Sequence, residues 1–375
     1  MNQLLSGSHT AKTLWRGALT LGLAAAVAAV VGGAPAARAG HNDSGVFASS
    51  QTVPLLQFPE GLVAWHNKLY TATYNVVSPQ DSRIFIFNAS SGRLERTLGG
   101  RPGEELISAG ALLGLTVNPA NGDLFAAGNF TGQIIRIQHA DTGNPRVSVY
   151  AQYPSGGGPE DLTFGPDGAL YASDSNLGVV YRISAQGQLQ LLIGPAGSGA
   201  PISDNGLFGA PVVGLSPNGL VFSADGRSLF VANTFADRVV AFDVNAHGQV
   251  VSNGRIFAQH RNPDLEIYPT GFDALVEPDT HFGPSATTAL NGPDGLQLDL
   301  DGNLWASCVL GDNLTELNPH TGAVIRTLGT SANTQGGLLN APTNTAFVGN
   351  KIFTSNLGIF SSLPWTIVQF ELDRH

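Results

Sequence analysis

SPNGLVFSADGRSLFVANTFADRVVAF, residues 216–242, is the stretch that decides the fold. It reads as a short apolar strand, a tight turn at Ala224-Asp225-Gly226, a second strand, a polar crossing and a third strand, which is most of one antiparallel sheet. The same order recurs at residues 295–317 (GLQLDLDGNLWASCVLGDNLTEL), 161–183 (DLTFGPDGALYASDSNLGVVYRI), 114–137 (GLTVNPANGDLFAAGNFTGQIIRI) and 61–87 (GLVAWHNKLYTATYNVVSPQDSRIFIF). A sixth, weaker copy ends the chain, from residues 343–348 through 351–355 to 366–372.

With Gly61, Gly114, Asp161, Gly219, Gly295 and Asn344 as equivalent marks, the steps are 53, 47, 58, 76 and 49 residues. A repeat of this size with four short strands per unit is the pattern of a propeller blade. No blade hides both of its faces alone, so the copies must stack around an axis. The pattern predicts an all-β, six-bladed β-propeller of four-stranded antiparallel blades. A β-sandwich also supplies short alternating strands, but it has no need of one internal pattern six times over. The sixth copy has only three strands before the chain ends. Residues 46–56 (VFASSQTVPLL), ahead of the first blade, are expected to supply the fourth and so remove both exposed edges.

The first 39 residues read as a signal peptide and not as part of the fold. Lys12 and Arg16 precede the apolar run 18–31, and Ala37-Arg38-Ala39 has the form of a signal-peptidase site; an uncleaved anchor is the rival, but the run is short for a span. The mature chain, residues 40–375, is then a single propeller domain, exported to the periplasm or beyond, with no stable membrane span. Cleavage takes the formal charge from −10 to −13, with 15 basic and 28 acidic residues. No basic patch interleaved with aromatics occurs, so nucleic acid is not an expected partner. Cys308 is the only cysteine, which rules out an intrachain disulfide, and its place in LWASC reads as a small buried residue and not a nucleophile.

The second strands (KLYTATY, DLFAAGN, ALYASDS, SLFVANT, NLWASCV, KIFTSNL) set bulky residues beside small ones, as crowded wedge-shaped sheets require. The third strands (RIFIF, QIIRI, VVYRI, RVVAF, NLTEL, TIVQF) alternate more and are expected to be half-buried. Turns such as Pro166-Asp167-Gly168 and Asp301-Gly302-Asn303 share part of a calcium-loop pattern but lack its closing Glu, and they read as hairpin turns. Two connections are long, residues 194–216 and 259–291; the second accounts for the 76-residue step. Insertions of this kind fall on loops beside binding faces, and His260 and His281 in the second are candidates to line a pocket.

The residues just before each first strand carry the chemistry. They read Pro59-Glu60-Gly61, Leu113-Gly114-Leu115, Pro159-Glu160-Asp161, Pro217-Asn218-Gly219, Pro293-Asp294-Gly295 and Pro342-Thr343-Asn344. First strands are innermost in a propeller, so these positions converge on the central channel. Glu60, Asn218 and Asp294, with Glu160 or Asp161 as a further acid, are hard oxygen donors that suit calcium. Glu160 follows a proline in register with the other three, so it is preferred to Asp161. Asx-Gly pairs also cap tight turns, which explains each position singly but not the longer acids at two of them.

FPEG at residues 58–61, SPNGL at 216–220 with the 223–226 turn, and GPDGLQLDLDGNLW at 292–305 resemble the six-bladed gluconolactonase and senescence-marker-protein family over residues 55–372. The likeness implies that Glu60, Asn218 and Asp294 ligate one catalytic divalent cation, with Asp294 as base or nucleophile. The chain departs from the family in the third blade, where Glu160-Asp161 stands for the usual Asn-Asp.

Two functional classes follow. One is a calcium-dependent hydrolase of a small lactone or ester; the other is a non-catalytic exported propeller that binds a ligand or protein, with structural calcium or none. A serine triad on a nucleophile elbow, a zinc HEXXH motif and a dinucleotide glycine fingerprint are all missing.

Overall fold

In five repeats the first hairpin reverses at a glycine with positive φ, Gly122, Gly168, Gly226, Gly302 and Gly349 at 76°, 73°, 67°, 82° and 62°, and in the first repeat His66 takes that place at 54°. In two of these turns the aspartate also pairs with an arginine on the third strand of its own blade, Asp123 with Arg136 and Asp167 with Arg182. That is hairpin chemistry and not ion ligation. The computed structural model describes residues 45–74, 82–99, 106, 110–209, 215–259, 290–329, 338–358 and 364–372. Residues 1–39, 260–289, His260 and His281 lie outside the described residues.

The strands form six antiparallel sheets, and together they make a six-bladed propeller. Five blades are built from consecutive strands; the third adds a short parallel strand, Ile202–Ser203, beside Leu189–Gly194. The innermost strands are Pro59–Trp65, Leu112–Val117, Pro159–Phe164, Leu220–Phe222, Pro293–Leu298 and Pro342–Val348, and each touches the innermost strands of both neighbouring blades. Among the described residues there is no helix.

The sixth blade takes its outer strand from the start of the chain. Gly45–Ser49 pairs antiparallel with Thr366–Glu371, Gly45 opposite Gln369 and Ser49 opposite Thr366. Phe47 on this strand meets Phe353 of the same blade edge-to-face at 4.9 Å and Phe87 of the first blade at 5.7 Å, so the closing strand ties blade six to blade one. The strand stops earlier than residue 56 because Val53 N–H turns back to the Ser49 carbonyl at 2.8 Å and Pro54 has no N–H to give a ladder.

The core lies between blades. Phe230, Ala232, Val239 and Ala241 of the fourth blade pack on Leu304, Ala306 and Leu317 of the fifth, large against small. Each fully buried phenylalanine stabilises the ring by about 2–3 kcal/mol relative to exposure. The third strands are more buried than their alternation implies: Phe85, Ile86 and Phe87 are all inside, because both faces of a blade are covered by its neighbours. Exposure falls on the outer strands, as at Leu94, Val149, Val324 and Ile325.

Candidate functional site

In five blades the pairing of first and second strands slips at the same place, between Pro59 and Leu62, Leu112 and Leu115, Pro159 and Leu162, Pro293 and Leu296, and Pro342 and Thr345. Each slip leaves one extra residue on the inner strand, a β-bulge that re-aims the two side chains within it. The first of those two is Glu60, Leu113, Glu160, Asp294 or Thr343; Asn218 holds the place in the fourth blade, and all six are buried. The second is glycine in four blades because neighbouring inner strands nearly touch. A Cβ on Gly61 would run into the Leu113 carbonyl oxygen, and one on Gly219 into that of Asp294.

The third blade breaks this glycine pattern with Asp161. Its carboxylate lies over Gly114 of the second blade and accepts the Leu220 N–H of the fourth at 3.4 Å, so it bridges the two blades on either side of its own. Glu160 is held beside it: Ser175 Oγ donates to Glu160 Oε2 at 2.9 Å and Asn129 Nδ2 at 3.4 Å. Glu60 is fixed through its backbone, whose carbonyl accepts Ser355 Oγ at 2.6 Å and Thr343 Oγ1 at 3.1 Å. Asn218 Nδ2 donates to Thr234 Oγ1 at 3.1 Å, and the same amide hydrogen-bonds Asp294.

Burial and mutual repulsion govern the charge of these acids. Desolvation first, then the charges of Asp294, Glu160 and Asp161, hold the Glu60 carboxyl well above its ordinary range. Asp294 is raised likewise by burial and by Glu160 and Asp161. Burial pushes Glu160 up to about 8 and Asp161 up to about 7. None of the ion pairs among the described residues includes any of the four. An added cation would relieve this repulsion, and the donors are all oxygens of the kind that hold calcium. The chemistry of the donor set therefore fits, although among the described residues no three His, Cys, Asp or Glu side chains are drawn together into a ready-made cage.

The residue that follows each second strand was not expected to matter, and in four blades it lines the site. Asn129 and Ser175 bond Glu160, Thr234 bonds Asn218, and the Tyr74 hydroxyl is raised by burial and by the charges of Glu160 and Glu60. The sequence signal was the polar last letter of TATY, AAGN, ASDS and VANT, where a buried inner strand would otherwise end in an apolar residue. Cys308 is fully buried and its thiol is pushed up by burial, so no thiolate is on offer. The four described histidines, His66, His139, His247 and His320, are exposed in turns at the opposite end of the ring.

The profile of the SMP-30/Gluconolactonase/LRE-like region family matches residues 75–354. The chain belongs to this family. No curated protein matches the sequence. Among solved structures, the ring is similar to the calcium-binding protein regucalcin from Agrobacterium tumefaciens, at 15% identity over 89% of this chain and 98% of that one, with a TM-score of 0.57. It is similar to a gluconolactonase from Xanthomonas campestris at 18% identity over 91% and 98%, TM-score 0.52. A luciferin-regenerating enzyme is 14% identical over 83% and 90%, TM-score 0.54. At these identities the structural likeness establishes the six-bladed fold alone, and the site rests on this chain's own residues.

Proposed function

We propose that the protein is a calcium-dependent hydrolase of a small lactone or ester, with the ion held by Glu60, Asn218, Asp294 and Glu160. The observation that carries this reading is the convergence of Glu60, Glu160, Asp161 and Asp294 from three blades into one buried site with no basic partner among the described residues. Membership of a family described by gluconolactonase, and likeness to a calcium-binding protein, support it. A calcium ion bound there supplies a Lewis acid for the substrate's carbonyl oxygen. Asp294, raised by its surroundings, is a strong base for a carboxylate once positive charge beside it keeps it ionised, and it accepts the proton of the attacking water. The water oxygen bonds the carbonyl carbon, the ring C–O bond breaks, and the proton ends on the departing alkoxide oxygen. Asn218 holds the Asp294 carboxyl in place through its amide, itself anchored on Thr234.

Purified protein is expected to hydrolyse members of a lactone and aryl-ester panel, with turnover abolished by a chelator and restored by calcium. Asp294→Asn keeps an oxygen for the ion but cannot take a proton, so at saturating calcium kcat should fall by about a hundredfold or more. A silent panel, or an Asp294→Asn variant equal to wild type, would reject the reading. The second reading is a binding module, and binding of a small ligand without turnover would establish it. As part of the same proposal, residues 1–39 act as a cleaved export signal. N-terminal sequencing of exported protein should then begin near Gly40.

A further inference from the structure

The mouth of the channel is not uniform around its rim. Blades three to five present Glu160, Ser175, Asn218, Thr234 and Asp294, and blades one and two add Glu60 and Asn129 to that polar set. Beside Glu60 and Asn129, the rim of blades six, one and two carries aromatic and aliphatic side chains that are not fully buried: Leu357, Trp365, Tyr74 and Phe130. Phe130 is 49% exposed although it directly follows Asn129, whose amide is pinned to the Pro159 carbonyl at 3.2 Å. The Phe130 and Tyr74 rings lie 5.8 Å apart, and Phe58 and Trp365 lie 4.5 Å apart. Tyr74 N–H donates to the Phe58 carbonyl at 2.8 Å, which ties the backbones of the two aromatic pairs together, with Phe58 itself buried beneath Trp365. Asn129, the residue before Phe130, links that surface to the acids, because its amide donates to Glu160 Oε2 at 3.4 Å. An exposed aromatic ring beside a buried polar centre leaves apolar area in water that a ligand can cover.

We propose that the site takes a two-part substrate: a lactone or ester group held over Glu60, Glu160 and Asp294, and an alkyl or aryl substituent laid across Phe130, Tyr74 and Trp365. This rests on the hydrolase reading above and names its substrate class. A polyhydroxylated substrate would turn hydroxyls toward side chains that offer few partners, and lost hydration without new hydrogen bonds weakens binding. An alkyl chain there gains by leaving water. A chain with one side against a wall and the other in solvent gains about twofold in affinity per methylene, so six methylenes are worth on the order of fiftyfold.

The test compares γ-butyrolactone with γ-decalactone, which carries a six-carbon chain on the same ring. At saturating calcium, kcat/KM should favour the longer lactone by on the order of fiftyfold. Phe130→Ser should cut that ratio to about tenfold or less, while Leu300→Ser, an exposed leucine in a turn at the opposite end of the ring, leaves the ratio where it was. Binding of both lactones to calcium-loaded protein is measured in parallel by calorimetry. Turnover of both lactones at similar kcat/KM overturns the two-part site and leaves the hydrolase reading standing. Chain-length-dependent binding that Phe130→Ser weakens, without turnover, overturns the hydrolase and keeps the apolar subsite. Neither turnover nor binding overturns both.

Discussion

Replacing Glu160 by glutamine should make the calcium-free protein more stable at high pH and the calcium-loaded protein less so. Unfolded, Glu160 titrates near its ordinary 4.5; folded, burial pushes it up to about 8. Between those values the folded chain holds a proton that the unfolded chain has released. Its contribution is therefore most favourable below 4.5 and is lost as pH rises through 8. One such proton is worth about 1.4 kcal/mol per pH unit, and across this window about 5 kcal/mol as an order of magnitude. Glutamine still offers an oxygen to the Ser175 hydroxyl but cannot ionise, and it removes one of the charges that raise Glu60 and Asp294. The assay is urea unfolding in chelator at several pH values from about 5 to 9. Wild type should lose stability across that range, with the variant's slope shallower by about 1.4 kcal/mol per pH unit or more. Saturating calcium should then reverse the order at high pH, because only wild type offers the ion the Glu160 carboxylate. Parallel slopes for the two proteins in chelator would refute the reasoning, since Glu160 would then titrate alike in both states.

Other changes test the frame around the acids. Gly219→Ala drives a methyl into the Asp294 carbonyl oxygen and should cost about 3 kcal/mol, read as a lower urea midpoint; a wild-type midpoint would mean the inner strands are free to part. Phe47→Ala removes the edge-to-face contacts with Phe353 and Phe87 and should cost about 2 kcal/mol, and unchanged unfolding would show that the closing strand does not join blades six and one.

The sequence made the ring legible because its signals are local. An apolar run, an Asp-Gly turn and a second run identify a hairpin anywhere, and six of them at near-regular steps leave one architecture. Glu60, Glu160, Asn218 and Asp294 were legible as a set because each follows a proline at the start of an inner strand, and the structure sets them all in bulges or the equivalent place. Less legible was anything that depends on three dimensions. Alternation in RVVAF reads as one face in water, but Arg238–Asp243 is buried on both faces by the adjoining blades. Tyr74, Asn129, Ser175 and Thr234 looked like strand ends, and only the convergence of the inner strands brings their polar atoms to the acids. Asp161 looked like the lesser alternative to Glu160, yet it bonds Leu220 of the next blade and shares the same field.

The pairing of Gly45–Ser49 with Thr366–Glu371 also sets an order in time. A ribosome delivers the first of these segments before any blade and the second after every other strand of the ring, so the earliest strand of the fold has no partner until the ring's last strand is made. Five blades have all their strands by then, because each is made from consecutive chain, whereas the sixth must wait for contacts of the greatest sequence separation in the molecule, the kind that form slowly. A chain cut short before residue 366 would keep five complete sheets and still present two unpaired edges, so the short segment 366–371 decides whether the ring is sealed or sticky.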